Sequence, residues 1–182
     1  MQRLKAFNMT ELMLVMMILG VILVLTLPLA MNIKDDDKIF AGYKGKANKD
    51  IADASQYALL KNRAKSYSNI KMNDKDTGLP LTNDSQILRE FLSSTISYKS
   101  KCQGFGNTEA NCLKIAVADF ENTYGLKIQN GEVIMFNYDN PGCVETACGR
   151  ILVDMNGDKK PNTIGQDRYT FTLFRDRAVI DD

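Results

Sequence analysis

A chain of 182 residues suits one globular domain with an appendage, and ordinary apolar content with a net charge of +1 excludes wholesale disorder and a broad electrostatic grip on nucleic acid. It contains no histidine. That removes Ser-His-Asp and Cys-His nucleophile pairs, imidazole zinc sites and the commonest general base. No nucleophile elbow, phosphate loop or paired-carboxylate motif makes up the loss, so the expectation is a protein that is not an enzyme.

The first element is an uncharged run from Leu12 to Ile33, LMLVMMILGVILVLTLPLAMNI. As a helix it is long enough for a hydrocarbon core of about 30 Å. It is too long for the apolar region of an ordinary secretory signal, roughly 7–15 residues. Arg3 and Lys5 precede it and Asp35-Asp36-Asp37 follow. The positive-inside rule then predicts a single membrane pass, with the N-terminus in the cytoplasm and the remainder outside. Glu11 sits at the edge of this run. A carboxylate moved into an apolar layer costs about 2.5–3.5 kcal/mol and calls for a partner. Taken alone, Glu11 also fits the headgroup level of a plain signal anchor, or a cleavable signal.

The segment Lys5-Ala6-Phe7-Asn8-Met9-Thr10-Glu11-Leu12 resembles the leader of type IV pilins and type II secretion pseudopilins. In that family a short basic leader ends in a small residue, Phe opens the mature chain and Glu stands fifth in it. The resemblance implies that the membrane is the inner one, and it implies a leader over 1–6, cleavage between Ala6 and Phe7, and N-methylation of Phe7. It gives Glu11 the assembly role, with the frequent Gly of the helix at Gly20 and its helix-loosening Pro at Pro28. Departures are Ala6 in place of the usual Gly, and Asn8 and Thr10 in place of a frequent Thr and an aliphatic. Pro28 lacks an N–H and crowds the carbonyl four residues back, so the helix 7–33 is expected to loosen near Val24. Gly20 adds backbone freedom and permits close helix approach.

The function implied is a structural subunit that assembles through its N-terminal helix into a pilus, competence or type II secretion filament. Once Phe7 is exposed, its amine becomes the natural counter-ion for Glu11 of a neighbouring copy. The implied partners are other such subunits, prepilin peptidase, an inner-membrane assembly platform and membrane lipid before assembly, with DNA or a secreted substrate as a further candidate. The rival is a membrane-anchored extracellular binding module that never polymerises.

Beyond the apolar run, residues 34–66 place Ile39, Tyr43, Ala47, Ile51, Ala54 and Ala58 at helical spacing. This is the expected amphipathic continuation of the helix, weakened at Gly42 and Gly45. The head is expected over 67–182. Residues 68–83 are polar with Gly78 and Pro80 and predict a loop. Asn83 or Asp84 caps a short helix to about Thr95, with Ile87, Leu88, Phe91 and Leu92 inward. A cysteine-bearing loop follows. Leu126 to Phe136 around Asn130-Gly131 predicts a hairpin, and 151–153 and 169–174 predict further strands. The fold class expected is α+β: a long hydrophobic helix continuing into an amphipathic half, packed on a small antiparallel sheet as in pilins.

Four cysteines, Cys102, Cys112, Cys143 and Cys148, allow three disulfide connectivities. Local pairing, Cys102 with Cys112 and Cys143 with Cys148, closes the shortest loops. A four-thiolate zinc site is the rival, with the first spacing wide for it. Between the last two strands, Asp154, Asn156 and Asp158 alternate as at the start of an EF-hand, with Asn162 and Asp167 beyond. Lys159 stands where the turn Gly belongs and Gly165 where the bidentate Glu belongs, so the loop is not an EF-hand. Two readings stay open: a rigid turn whose carboxylates bond backbone N–H groups, and a calcium loop such as those of some pilin-like proteins.

Overall fold

The computed structural model describes residues 9–74 and 77–181, and their side chains except those of 25–37. Leader residues 1–6 and the cleavage pair Ala6 and Phe7 therefore lie outside the described residues. The chain divides into two compact units, Met1–Ile39 and Phe40–Asp182, each taken here by itself.

Helix α1, Met9–Lys61, begins in the first unit, and its helical backbone runs unbroken through Gly20, Pro28, Gly42 and Gly45. The apolar stretch described in it is Met9–Val24, 16 residues, or about 24 Å of helix at 1.5 Å per residue, against about 30 Å for a hydrocarbon core. Among the described residues no helix is long and apolar enough to cross a membrane. The expectations of a long hydrophobic helix and of single-pass inner-membrane placement are corrected accordingly. From Lys38 onward the described part of α1 carries Lys38, Lys44, Lys46, Lys49, Asp50 and Asp53, which no apolar layer would accept.

The second unit corrects the other half of the expected fold. Its sheet is not small: six antiparallel strands run in chain order. They are β1 Ser100–Gln103, β2 Tyr124–Lys127, β3 Val133–Asn137, β4 Gly149–Asp154, β5 Arg168–Leu173 and β6 Ala178–Ile180. Both faces are covered, which explains the uninterrupted apolar run Val133-Ile134-Met135-Phe136. Ile134 and Phe136, with Ile151 and Val153 from β4, pack against Ala47, Ile51, Ala58 and Leu59 of α1. The alternate residues Val133, Met135 and Leu152 face the other way, onto Leu113, Phe120 and the Cys102–Cys112 pair.

Helix α2, Asp84–Ser93, takes Asn83 as its cap, one of the two residues the sequence offers for that role. Asn83 Oδ1 accepts from the Gln86 N–H at 3.0 Å. Leu88, Phe91 and Leu92 are buried in the main core. Asn83→Ala should cost about 1 kcal/mol in chemical denaturation, because one of the orphan N–H groups of the first turn loses its acceptor. The same helix buries a charged pair that periodicity does not reveal. Glu90 Oε1 receives Arg89 at 2.7 Å and Lys101 of β1 at 2.8 Å, and Arg89 stacks over the Tyr124 ring. Burial alone would push the Glu90 carboxyl up, but the hydrogen bonds from Lys101 and Arg89 win and hold it below its ordinary value.

The cysteines pair locally, Cys102 with Cys112 and Cys143 with Cys148, and no thiol is free. The zinc alternative is thereby removed. The first disulfide lies over β2 at Gly125, where a Cβ would stand 2.7 Å from Cys112 Sγ, so only glycine fits beneath it. Tyr169 ties the helix to the sheet by donating from its hydroxyl to the Phe40 carbonyl at 2.8 Å.

Candidate assembly surface and cation loop

In the first unit, every large apolar side chain from Met9 to Val24 is exposed, from 44% at Val15 to 81% at Met9. A helix that is apolar all round is a buried helix, and a contiguous apolar surface of this extent marks an interaction site. Glu11 lies near the start of the described part of α1. At Gly20 a Cβ would meet nothing within 4 Å, so the helix is narrowed there and open to a neighbour. Pro28 lies within the helical backbone, and its side chain is among those not described.

Of the five residues offered as calcium ligands, all in the second unit, Asp154 ends β4 and the other four lie in the β4–β5 connection. The strand register sets Asp154 opposite Arg168. Both are buried, and Arg168 Nε donates to Asp154 Oδ2 at 2.6 Å. The same guanidinium donates through Nη2 to Asn162 Oδ1 at 2.9 Å. Asp167 is wholly committed to backbone: its Oδ2 accepts from the Asn162 N–H at 2.8 Å and its Oδ1 from the Thr163 N–H at 2.7 Å. Asp158 turns away and accepts from the Lys114 N–H at 2.7 Å. Gly157, at φ +67, lets the loop pass beneath the β2–β3 turn, where a Cβ would stand 2.8 Å from the Gly131 carbonyl oxygen.

Calcium requires six to eight oxygens. Here Asp154 serves Arg168 through Oδ2 and the Asn156 N–H through Oδ1, and Asn162 Oδ1 serves Arg168. Both Asp167 oxygens and Asp158 Oδ1 serve N–H groups, and Asn156 Oδ1 is the one buried side-chain oxygen of the loop without a partner among the described residues. Nor does any group of three or more acidic or cysteine side chains able to hold a metal occur among the described residues. The donor set does not fit calcium. Arg168 is the loop's cation, and the turn reading, in which carboxylates bond backbone N–H groups, describes Asp158 and Asp167 correctly. Sequence reasoning missed Arg168, although extending the β4–β5 pairing to the strand ends would have set it against Asp154.

Burial pushes the Asp154 carboxyl up to about 6 from its ordinary 3.8, with the Asp167 charge adding to the rise and Arg168 opposing it. A carboxyl raised on folding holds its proton more tightly in the native state. Its contribution to stability is therefore full below pH about 4 and is lost as pH rises through about 6. Asp154→Asn should flatten that slope, on the order of 2–4 kcal/mol, in denaturation curves taken across pH 4–7.

Compared with family models, characterised proteins and solved structures, the chain matches none.

Proposed function

We propose that the chain is a structural assembly subunit of pilin or pseudopilin type, which polymerises through the N-terminal part of α1 after removal of the residues ahead of Phe7. One observation carries this: the apolar surface of Met9–Val24 is exposed on all sides in the single copy. Covering it with copies of the same helix is worth on the order of 10 kcal/mol or more by transfer of apolar area from water. The leader-like segment from Lys5 to Leu12 supplies the second support. Within such a bundle Glu11 takes the α-ammonium of Phe7 from a neighbouring copy, which fixes the axial offset between subunits. The partners that follow are other subunits of the same type, a prepilin peptidase and an assembly platform.

Mass spectrometry of the N-terminus of the native protein tests the processing step. The expected mature chain begins at an N-methylated Phe7. A chain that still begins at Met1 denies Glu11 its ammonium partner and contradicts the proposal.

A further inference from the structure

The second unit contains an open cavity of about 390 Å³ between α1, the α2–β1 connection and the β2–β3 hairpin. Its floor is apolar, with Ile51 and Ile134 both buried. Its lining is acidic: exposed Asp50 and Asp53 and the buried Glu132 line it, with Lys46 as the single cation among the described residues. Tyr57, 58% exposed, stands at the mouth one helical turn from Asp53.

Lys46 shows what chemistry the cavity accepts. Its ammonium reaches the buried Glu132 carboxylate at 2.7 Å and Asp50 at 3.3 Å, yet its side chain is 45% exposed and can swing aside. Asp53 has no ion-pair partner among the described residues. After Lys46 is counted, the described lining still carries a net charge of −2 beside an apolar floor. An apolar stem with a cationic head matches that layout: the stem covers the floor, the head meets Asp53 and Glu132, and the Tyr57 ring offers its face to a guanidinium.

We infer that this cavity is a docking site for a basic side chain, arginine above all, presented by a protein partner. The rim is open to solvent at Asp50, Asp53 and Tyr57, as a side chain entering from another protein requires. The site lies wholly in the second unit, and its inference does not rest on assembly through Met9–Val24.

The test is fluorescence anisotropy of the full chain with a labelled five-residue peptide carrying one central arginine among alanines, beside the same peptide with glutamate. The arginine peptide binds and the glutamate peptide does not. Asp53→Asn and Tyr57→Ala, both at exposed positions, each weaken binding at least threefold. Lys46→Met, which removes the resident competitor, strengthens it severalfold. Glu145→Gln, an exposed carboxylate on the Cys143–Cys148 loop, leaves it unchanged. Equal binding of both peptides would overturn the inference. So would an affinity indifferent to Asp53→Asn and Lys46→Met, or one weakened as much by Glu145→Gln as by Asp53→Asn, since that would be a diffuse surface field and not a site.

Discussion

Arg168→Met lowers stability at pH 7 by about 3–5 kcal/mol, the usual cost of removing one partner from a buried ion pair. The guanidinium is the only group that reaches both Asp154 and Asn162 in the described structure, at 2.6 and 2.9 Å. Without it, a fully buried carboxylate has no counter-ion, and the Asn162 carbonyl loses its donor. The damage extends along the loop, because Asn162 is also held through its N–H by Asp167. Thermal melting should fall by roughly 10 °C for a domain of this size. At pH 5 the loss is smaller, because Asp154, already pushed up to about 6, can take a proton and stay neutral. Millimolar calcium should not restore the variant, and neither calcium nor a chelator should move the melting point of the unaltered chain. A loss below 1 kcal/mol, or a calcium-dependent melting point, would show that Arg168 is not the loop's cation.

Ile18→Lys abolishes assembly while leaving the head intact. Ile18 is 51% exposed in the single copy, so the substitution costs the isolated chain little, whereas in a helix bundle it buries an unpaired ammonium at a cost of several kcal/mol. At 1.4 kcal/mol per tenfold, the concentration needed for polymer should rise at least a hundredfold. Sedimentation would show the variant as a light species at concentrations where the parent sediments as polymer. Circular dichroism and denaturation of the head should be unchanged.

The sequence foretold those parts of the fold whose signals are local. Asn83 and Asp84 marked the start of α2, with the structure choosing Asn83 as the cap, Asn130-Gly131 marked the hairpin turn, and the cysteine spacings favoured short loops. Strand β1 was missed because Ser-Lys-Cys-Gln has no apolar alternation and is held by β2, with Lys101 opposite Leu126. Strand β6 was missed because three residues after Arg175-Asp176-Arg177 carry no pattern of their own, and pairing with β5 defines them. The burial of Leu113 and Phe120 on the second face of the sheet was equally hidden, since nothing local says that a loop folds over a sheet. In the cation loop, oxygen spacing suggested a metal, while the residue that neutralises those oxygens lies 14 positions away across a strand pair. Alternation along the chain records which atoms could coordinate; it does not record what they do coordinate.

The four methionines of Met9–Val24 provide their own probe of whether that stretch is the buried seam of a polymer. Met9, Met13, Met16 and Met17 are between 65% and 81% exposed in the single copy, while Met135 in the head is fully buried. Peroxide footprinting of the native, processed protein, free of lipid and detergent and read by mass spectrometry, should find Met13, Met16 and Met17 oxidising as slowly as Met135 under assembling conditions. Oxidation of those three at the rate of solvent-exposed methionine under the same conditions would mean that no copy covers the helix.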